Sequence, residues 1–232
     1  MNVFILAAGR GQRLRPLTDH QPKPLLDIDG RPVIDHTLER LTRWPVSKIV
    51  VNTCHLADKL AQHLATYRTP TVIISRESEL LETGGGVCNA LPLLGNDPFL
   101  AINGDILWDF NLDPLFLGFD SGSMDALLVL VANPPGKRGD FVIQGDTMGR
   151  LRRFQEGDAH SWTYSGVQML NPPALASYPV APFSLNRFYD DCMQQQRLFG
   201  IALPGAWSDI GTPATLAEAR KIWKFPLHIR GN

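Results

Sequence analysis

Through its first hundred residues the chain alternates short, predominantly apolar runs with amphipathic stretches. That rhythm restricts the fold more than any single motif does. The runs are NVFILAA (2–8), KIVVNT (48–53), TVIIS (71–75) and FLAIN (99–103). Each is too brief for a helix and apolar on both faces, the profile of a parallel strand covered from both sides. Between them, RPVIDHTLERLTRW (31–44) places Ile34, Leu38 and Leu41 on one helical face, with Pro32 suited to the first turn. LADKLAQHLATY (56–67) does the same with Leu56, Leu60, Leu64 and Tyr67, and GGGVCNALPLL (84–94) is a helix led by glycines. Regular strand–helix alternation predicts an α/β fold with a doubly wound, mostly parallel central sheet and right-handed crossovers.

After residue 110 the rhythm changes. DALLVLVA (125–132) reads as a strand, 139–157 as an antiparallel hairpin around a Gly/Asp turn, and WTYSGVQML (162–170) as another strand. LNRFYDDCMQQQ (185–196) reads as a helix, RLFGIAL (197–203) as a strand and TPATLAEARKIW (212–223) as a helix capped by Thr212, with Pro213 at its first position. With no linker or repeat, residues 1–232 are expected to form one domain. Its nucleotide-sized half covers about 1–110, and a smaller antiparallel half covers about 111–232.

The N-terminal apolar run lacks a basic leader and is too short for a signal peptide or a membrane span. A net charge of −1 gives no basic groove for nucleic acid and no polybasic membrane patch. Cys54, Cys88 and Cys192 are odd in number and far apart, which argues against a disulfide framework and for a cytoplasmic protein.

The first strand delivers LAAGRGQRLRPLT (6–18) to the carboxyl edge of the sheet, where open α/β sheets bind ligands. A glycine loop there can wrap phosphate with backbone N–H groups, and Arg10, Arg13 and Arg15 can neutralise it. An ordinary strand–helix turn with solvated arginines would read the same. Two specific phosphate loops are excluded. Gly9-x-Gly11-x-x-Leu14 lacks the third glycine of the dinucleotide fingerprint and meets Pro16 where its helix must start, which disfavours a dinucleotide oxidoreductase; no Walker string exists. In QPKPLL (21–26), Lys23 stands between two prolines that favour an extended chain.

Together, LAAGRGQRLRPLT and PKPLL resemble the signature of the sugar-phosphate nucleotidyltransferases, L-A-A-G-x-G-x-R-x-x-P-x-T followed by P-K-P-[LM]. NGDILWD (103–109), YSGVQML (164–170) and WSDIGTPATLAEA (207–219) resemble further motifs of that family, so the likeness runs nearly end to end. It implies a Rossmann-like nucleotidyltransferase fold and transfer of a nucleoside monophosphate from an NTP to a sugar-1-phosphate, with Mg²⁺ as cofactor. Within the family, the compact length, LETGGG (81–86) and NGDI are most like uridylyl-transferring members; guanylyl transfer to mannose-1-phosphate is the alternative.

The resemblance also implies roles for individual residues. Arg13 and Lys23 are the catalytic cations. Leu6, Ala7, Ala8, Gly9 and Gly11 cradle the nucleotide. Gly84 and Gly85 lie against the base, where a helix start offers free N–H groups, and either Glu79 or Glu82 accepts from it. Asp105 and Asp209 share one Mg²⁺, and Asp105, Glu156, Tyr164 and Gly166 face the sugar. One departure stands out. Relatives carry an E-K-P segment before the sugar strand, whereas FQEGDAHSWTYSG has no lysine, leaving Glu156 as its carboxylate. A non-catalytic nucleotide-sugar sensor is the non-enzyme reading; such a protein could have shed Arg13, Lys23, Asp105 or Asp209, and this chain keeps all four. Monomer and homodimer both remain open.

Overall fold

A computed structural model describes residues 1–225. In chain order the elements are β1 (Asn2–Leu6), α1 (Leu17–His20), β2 (Asp27–Ile28), β3 (Arg31–Pro32), α2 (Val33–Leu41), β4 (Lys48–Thr53), α3 (Ala57–Leu64), β5 (Thr71–Arg76), α4 (Glu82–Leu94), β6 (Phe99–Asn103), β7 (Ile106–Trp108), α5 (Asp113–Gly118) and β8 (Ala126–Val131). There follow β9 (Phe141–Gln144), β10 (Met148–Arg153), β11 (Thr163–Leu170), α6 (Pro172–Leu175), α7 (Leu185–Gln194), β12 (Leu198–Ala202), β13 (Trp207–Asp209) and α8 (Pro213–Ile222).

Nine strands form one sheet in the order β5-β4-β1-β6-β11-β8-β12-β10-β9. β5, β4, β1 and β6 are mutually parallel, and β8 and β12 pair in parallel; only β11 and β10 run against the rest. The antiparallel half therefore continues the same sheet.

Alternation along the strands divides the core between the two faces. Val3 and Ile5 of β1, with Ile49 and Val51 of β4, pack under α2, α3 and α5 through Ile34, Leu38, Leu41, Leu60, Leu64 and Leu115. Phe4 and Val50 face the opposite way, onto Val87, Ala90 and Leu94 of α4 and Phe188, Tyr189 and Cys192 of α7. Burial of this kind stabilises by about 25 cal/mol per Å² of apolar surface. A third, smaller core joins Leu14, Leu26, Ile28 and Val33 to Leu107, Ile210, Leu216, Ala219 and Trp223. It clamps α8 beneath the loops that carry the signature residues.

Every long element predicted from periodicity is present. Thr212 caps α8 in a capping box with Thr215, and Pro213 opens the helix. All three cysteines are free, and among the described residues no helix is long and apolar enough to cross a membrane. Differences concentrate at ends. α2 starts after Pro32, because Arg31–Pro32 pairs with Asp27–Ile28 in a tight hairpin. α3 is shorter than expected, with Leu56 and Tyr67 flanking it. No periodicity announced the ribbon in which Ile106–Trp108 pairs with Trp207–Asp209.

Candidate active site

A cavity of about 700 Å³ opens at the carboxyl ends of β1, β4 and β6. The loop after β1 forms its floor from Leu6 to Arg13. Gly11 adopts φ +61°, and a Cβ there would sit 2.8 Å from Thr18 Cγ2. Its carbonyl accepts from the Thr18 hydroxyl at 2.8 Å. Only glycine relieves both the backbone strain and the contact. Leu14, fully buried in the third core, anchors the turn that exposes Arg13.

Arg10 and Arg13 line the cavity and carry no hydrogen bond or ion pair among the described residues. Arg15 does not belong with them: it turns away onto Asp19, 3.0 Å distant. Lys23 also departs from expectation in its backbone. Pro22 is extended, but Lys23–Leu25 makes one tight helical turn rather than an extended strand. Both flanking prolines are buried, so the lysine is fixed by packing. Its ammonium is ion-paired with Asp105 at the cavity wall.

The β7–β13 ribbon explains how residues a hundred positions apart meet. Asp209 stands opposite Ile106, and the Ile210 N–H donates to the Asp105 carbonyl at 2.9 Å. Burial and the neighbouring Asp105 charge push the Asp209 carboxyl up, with Lys23 and Arg13 opposing. The Asp209 carboxylate has no hydrogen bond or ion pair among the described residues. Between it and Arg13 lies Gly211, where a Cβ would stand 2.9 Å from Asp209 Oδ2 and 3.1 Å from Arg13 Nη2. Two hard oxygen donors side by side, one half-buried and unpartnered, fit a cation such as Mg²⁺ that completes its shell with water and substrate phosphate. Among the described residues no cluster of three or more His, Cys, Asp or Glu could hold a metal by protein ligands alone.

Where the base was expected, Leu80, Glu82 and Thr83 reach the cavity, and Glu82 holds φ +58° at the start of α4. Glu79 is exposed and does not line it. The helix-opening glycines do not offer the free N–H groups anticipated: Gly84 and Gly85 both donate to the Phe183 carbonyl, at 2.8 and 3.3 Å. A Cβ on Gly84 would strike the Phe183 ring, and one on Gly85 the Ala181 carbonyl. These glycines admit the 181–183 segment, and neither lines the cavity.

The expected sugar-side residues are more scattered. Gly166, at φ +87°, lies against Asn103, itself a cavity residue. Tyr164 points the other way, its hydroxyl buried and its ring edge-on to Tyr189 at 6.0 Å. Glu156 is exposed, 3.8 Å from Arg138, and outside the cavity.

Asn52, Asn103 and Ser184 line the cavity without having been singled out in the sequence. For the first two a signal existed: each is an amide at the carboxyl end of a mostly apolar parallel strand, at the sheet edge where ligands bind. Ser184 carried none, because its position depends on the packing of 181–183 beneath α4.

Comparison with known proteins identifies the family. The Nucleotidyl transferase family matches residues 2–224, and the chain belongs to that family. It is 37% identical to the N-acetylmuramate alpha-1-phosphate uridylyltransferase of Neisseria meningitidis, covering 97% of this chain and 100% of that protein. The enzyme of the same name from Caulobacter vibrioides is 35% identical, over 94% and 96%. The mannose-1-phosphate guanylyltransferase catalytic subunit beta of Xenopus tropicalis is 30% identical over 92% of this chain and 62% of its own length. A putative glucose-1-phosphate thymidylyltransferase from Bacillus anthracis shares the fold, with a TM-score of 0.81 over 97% of both chains at 19% identity.

Proposed function

We propose that this protein transfers the uridylyl group of UTP to N-acetylmuramate α-1-phosphate, releasing pyrophosphate. The observation that carries the choice of substrates is the 37% identity spread over the whole of both chains, against 30% over part of the guanylyltransferase. The reaction belongs with recycling of cell-wall sugars in the cytoplasm; three free cysteines support a reducing compartment.

The chemistry needs positioning and charge neutralisation more than proton transfer. A sugar phosphate has its second pKa near about 6, so near neutral pH it is largely a dianion and needs no general base. One of its oxygens bonds to the α-phosphorus as the α–β bridging bond breaks, and pyrophosphate carries away the electron pair. Arg13 neutralises the charge that grows on the α-phosphoryl oxygens, and Lys23 binds the α-phosphate and the incoming sugar phosphate. Backbone N–H groups from Ala8 to Gly11 cradle the departing phosphates, the Ala7 N–H being engaged by Asn52. Asp105 and Asp209 would hold Mg²⁺, which when bound supplies a hard cation to phosphate oxygens. Their adjacency on the β7–β13 ribbon supports that assignment.

Pyrophosphate release measured across four nucleotides and several sugar-1-phosphates tests the reading. With N-acetylmuramate α-1-phosphate, kcat/KM for UTP should exceed that for GTP at least about tenfold, roughly 1.4 kcal/mol. Equal or better use of GTP with mannose-1-phosphate would move the protein to the guanylyltransferases.

A further inference from the structure

A buried carboxylate outside the cavity connects the two loops that grip the nucleotide. Glu77 follows β5 and is only 7% exposed. Its Oε1 accepts from Asn52 Nδ2 at 2.7 Å, and its Oε2 accepts from the Leu81 N–H at 3.1 Å. Asn52, 2% exposed, in turn accepts from the Ala7 N–H through Oδ1 at 2.6 Å. Gly86 of α4 covers the pair so closely that a Cβ there would sit 2.7 Å from Asn52 Nδ2 and 2.8 Å from Glu77 Oε1.

We propose that Glu77 is a positioning residue for the nucleotide: its carboxylate sets the direction of the Asn52 amide, and so the phosphate loop at Ala7, while holding the turn that presents Glu82 and Thr83. The inference rests on the nucleotidyl-transfer reading. Polarity supplies the argument. An asparagine between two groups must turn its oxygen to one and its NH₂ to the other. The Ala7 N–H can only donate, and an ionised Glu77 can only accept, so a single amide orientation satisfies the chain. Burial pushes the Glu77 carboxyl up, a cost offset by its two donors. A glutamine at 77 would still accept from Leu81, but its NH₂ would face Asn52 Nδ2. Asn52 would then have to flip, turning its NH₂ onto the Ala7 N–H. The arrangement ties the first parallel strand's loop to the strained turn before α4, the two sides between which the NTP lies.

The same polarity argument yields a test by exchange. E77Q and N52D each place two like groups face to face. The double variant N52D/E77Q restores an unbroken sequence of donors and acceptors with unchanged net charge. The carboxylate introduced at position 52 accepts from the Ala7 N–H and from the amide NH₂ introduced at position 77, whose own carbonyl oxygen accepts from Leu81. In steady-state kinetics with UTP and the sugar-1-phosphate varied separately, E77Q and N52D should each raise the KM for UTP about tenfold, the scale of one lost buried hydrogen bond. The KM for the sugar phosphate should move less than about twofold, and the double variant, although it moves the carboxylate to the cavity-lining position 52, should lower the KM for UTP at least about threefold below that of either single variant. A KM for UTP unchanged in E77Q, equal rises in both KM values, or no recovery in the double variant would each overturn the proposal. If E77Q does not fold, N52D and N52D/E77Q decide: a folded double variant with a KM for UTP at least about threefold below that of N52D supports the relay, and an unfolded double variant, or a KM no lower than that of N52D, overturns it. Wild-type protein inactive with every nucleotide and sugar pair would instead defeat the functional reading beneath it.

Discussion

The two halves of this molecule share one sheet yet serve the cavity unequally. From the parallel half come the loop after β1, Lys23, Asn52, the turn before α4 and Asn103–Asp105; among the described residues beyond 111 only Ser184 and Gly211 line the same space. Topology accounts for the contrast. Parallel strands end together at one edge, so successive loops converge there whatever their sequence separation. In the other half β11 and β10 run against their neighbours, and their side chains spread between both edges and the core. Tyr164 shows the consequence, sitting beside a cavity-facing strand end while its hydroxyl is buried against Tyr189.

The sharpest way to break that contrast is the one place where both halves supply the same chemistry. Asp105 belongs to the parallel half and Asp209 to the other, and the β7–β13 ribbon brings them together. Asp105→Asn and Asp209→Asn should each abolish most activity and shift Mg²⁺ activation to higher concentration, because each removes a charged oxygen from one ion. Titration of activity with MgCl₂ for both variants checks this. If only one variant responds to added metal, the two carboxylates do not share an ion and the ribbon is scaffolding.

Next in size is Arg13. It is exposed, lines the cavity and makes no ion pair among the described residues. Arg13→Ala should lower kcat about 10²-fold or more, the scale of one lost oxyanion-type donor, with a smaller change in KM. Arg15→Ala is the internal control, since that guanidinium is engaged with Asp19 away from the cavity, and should retain turnover within about twofold. Near-native turnover in Arg13→Ala would remove the central catalytic assignment.

Glycine separates architecture from ligand contact within a single loop. Gly11 has positive φ and no room for a Cβ, whereas a Cβ on Gly9 would meet nothing within 4 Å. The fold gives no reason for glycine at 9; close approach of a phosphate would. Gly9→Ala should leave Tm within about a degree while raising the KM for UTP about tenfold, and Gly11→Ala should lower stability by about 1–2 kcal/mol. Calorimetry and kinetics on the two proteins decide it. Unchanged kinetics in Gly9→Ala would mean the nucleotide does not touch that backbone.

What the sequence disclosed follows the same division. Periodicity revealed β1, β4, β5 and β6 and the helices between them, because each buries one face or two. The signature spacing picked out Arg13, Lys23, Asp105 and Asp209, and the fold gathers all four at one place. The 181–183 segment, in contrast, has no periodic signature, so nothing in ETGGG hinted that Gly84 and Gly85 make room for Phe183. Glu77 looked like any polar residue in SRESELLE until its partners were visible. The sugar half was least legible because its side-chain directions depend on strand order, which local pattern does not encode.

The smallest expected effect probes whether that second half stands by surface electrostatics where the first stands by its buried network. Arg152 on β10 donates to both Asp158 oxygens, at 2.7 and 2.6 Å, and the Gln155 N–H donates to one of them at 2.7 Å. These bonds, Arg152 first, hold the Asp158 carboxyl down at about 2. A carboxyl depressed by folding contributes stability that is present above its unfolded value of about 3.9 and fades as pH falls through the folded value. Asp158→Asn should therefore be less stable than wild type by a constant, small amount above about pH 5, with the gap closing between about pH 4 and pH 2. Solvent and salt screen such a pair, so the gap should also narrow in high salt. Urea unfolding across this pH range measures it, and the KM for UTP should not change, since the pair lies outside the cavity. A gap independent of pH would show that the turn at 155–158 is held by its backbone hydrogen bond alone, and a raised KM for UTP would show the two halves to be coupled more tightly than the cavity lining implies.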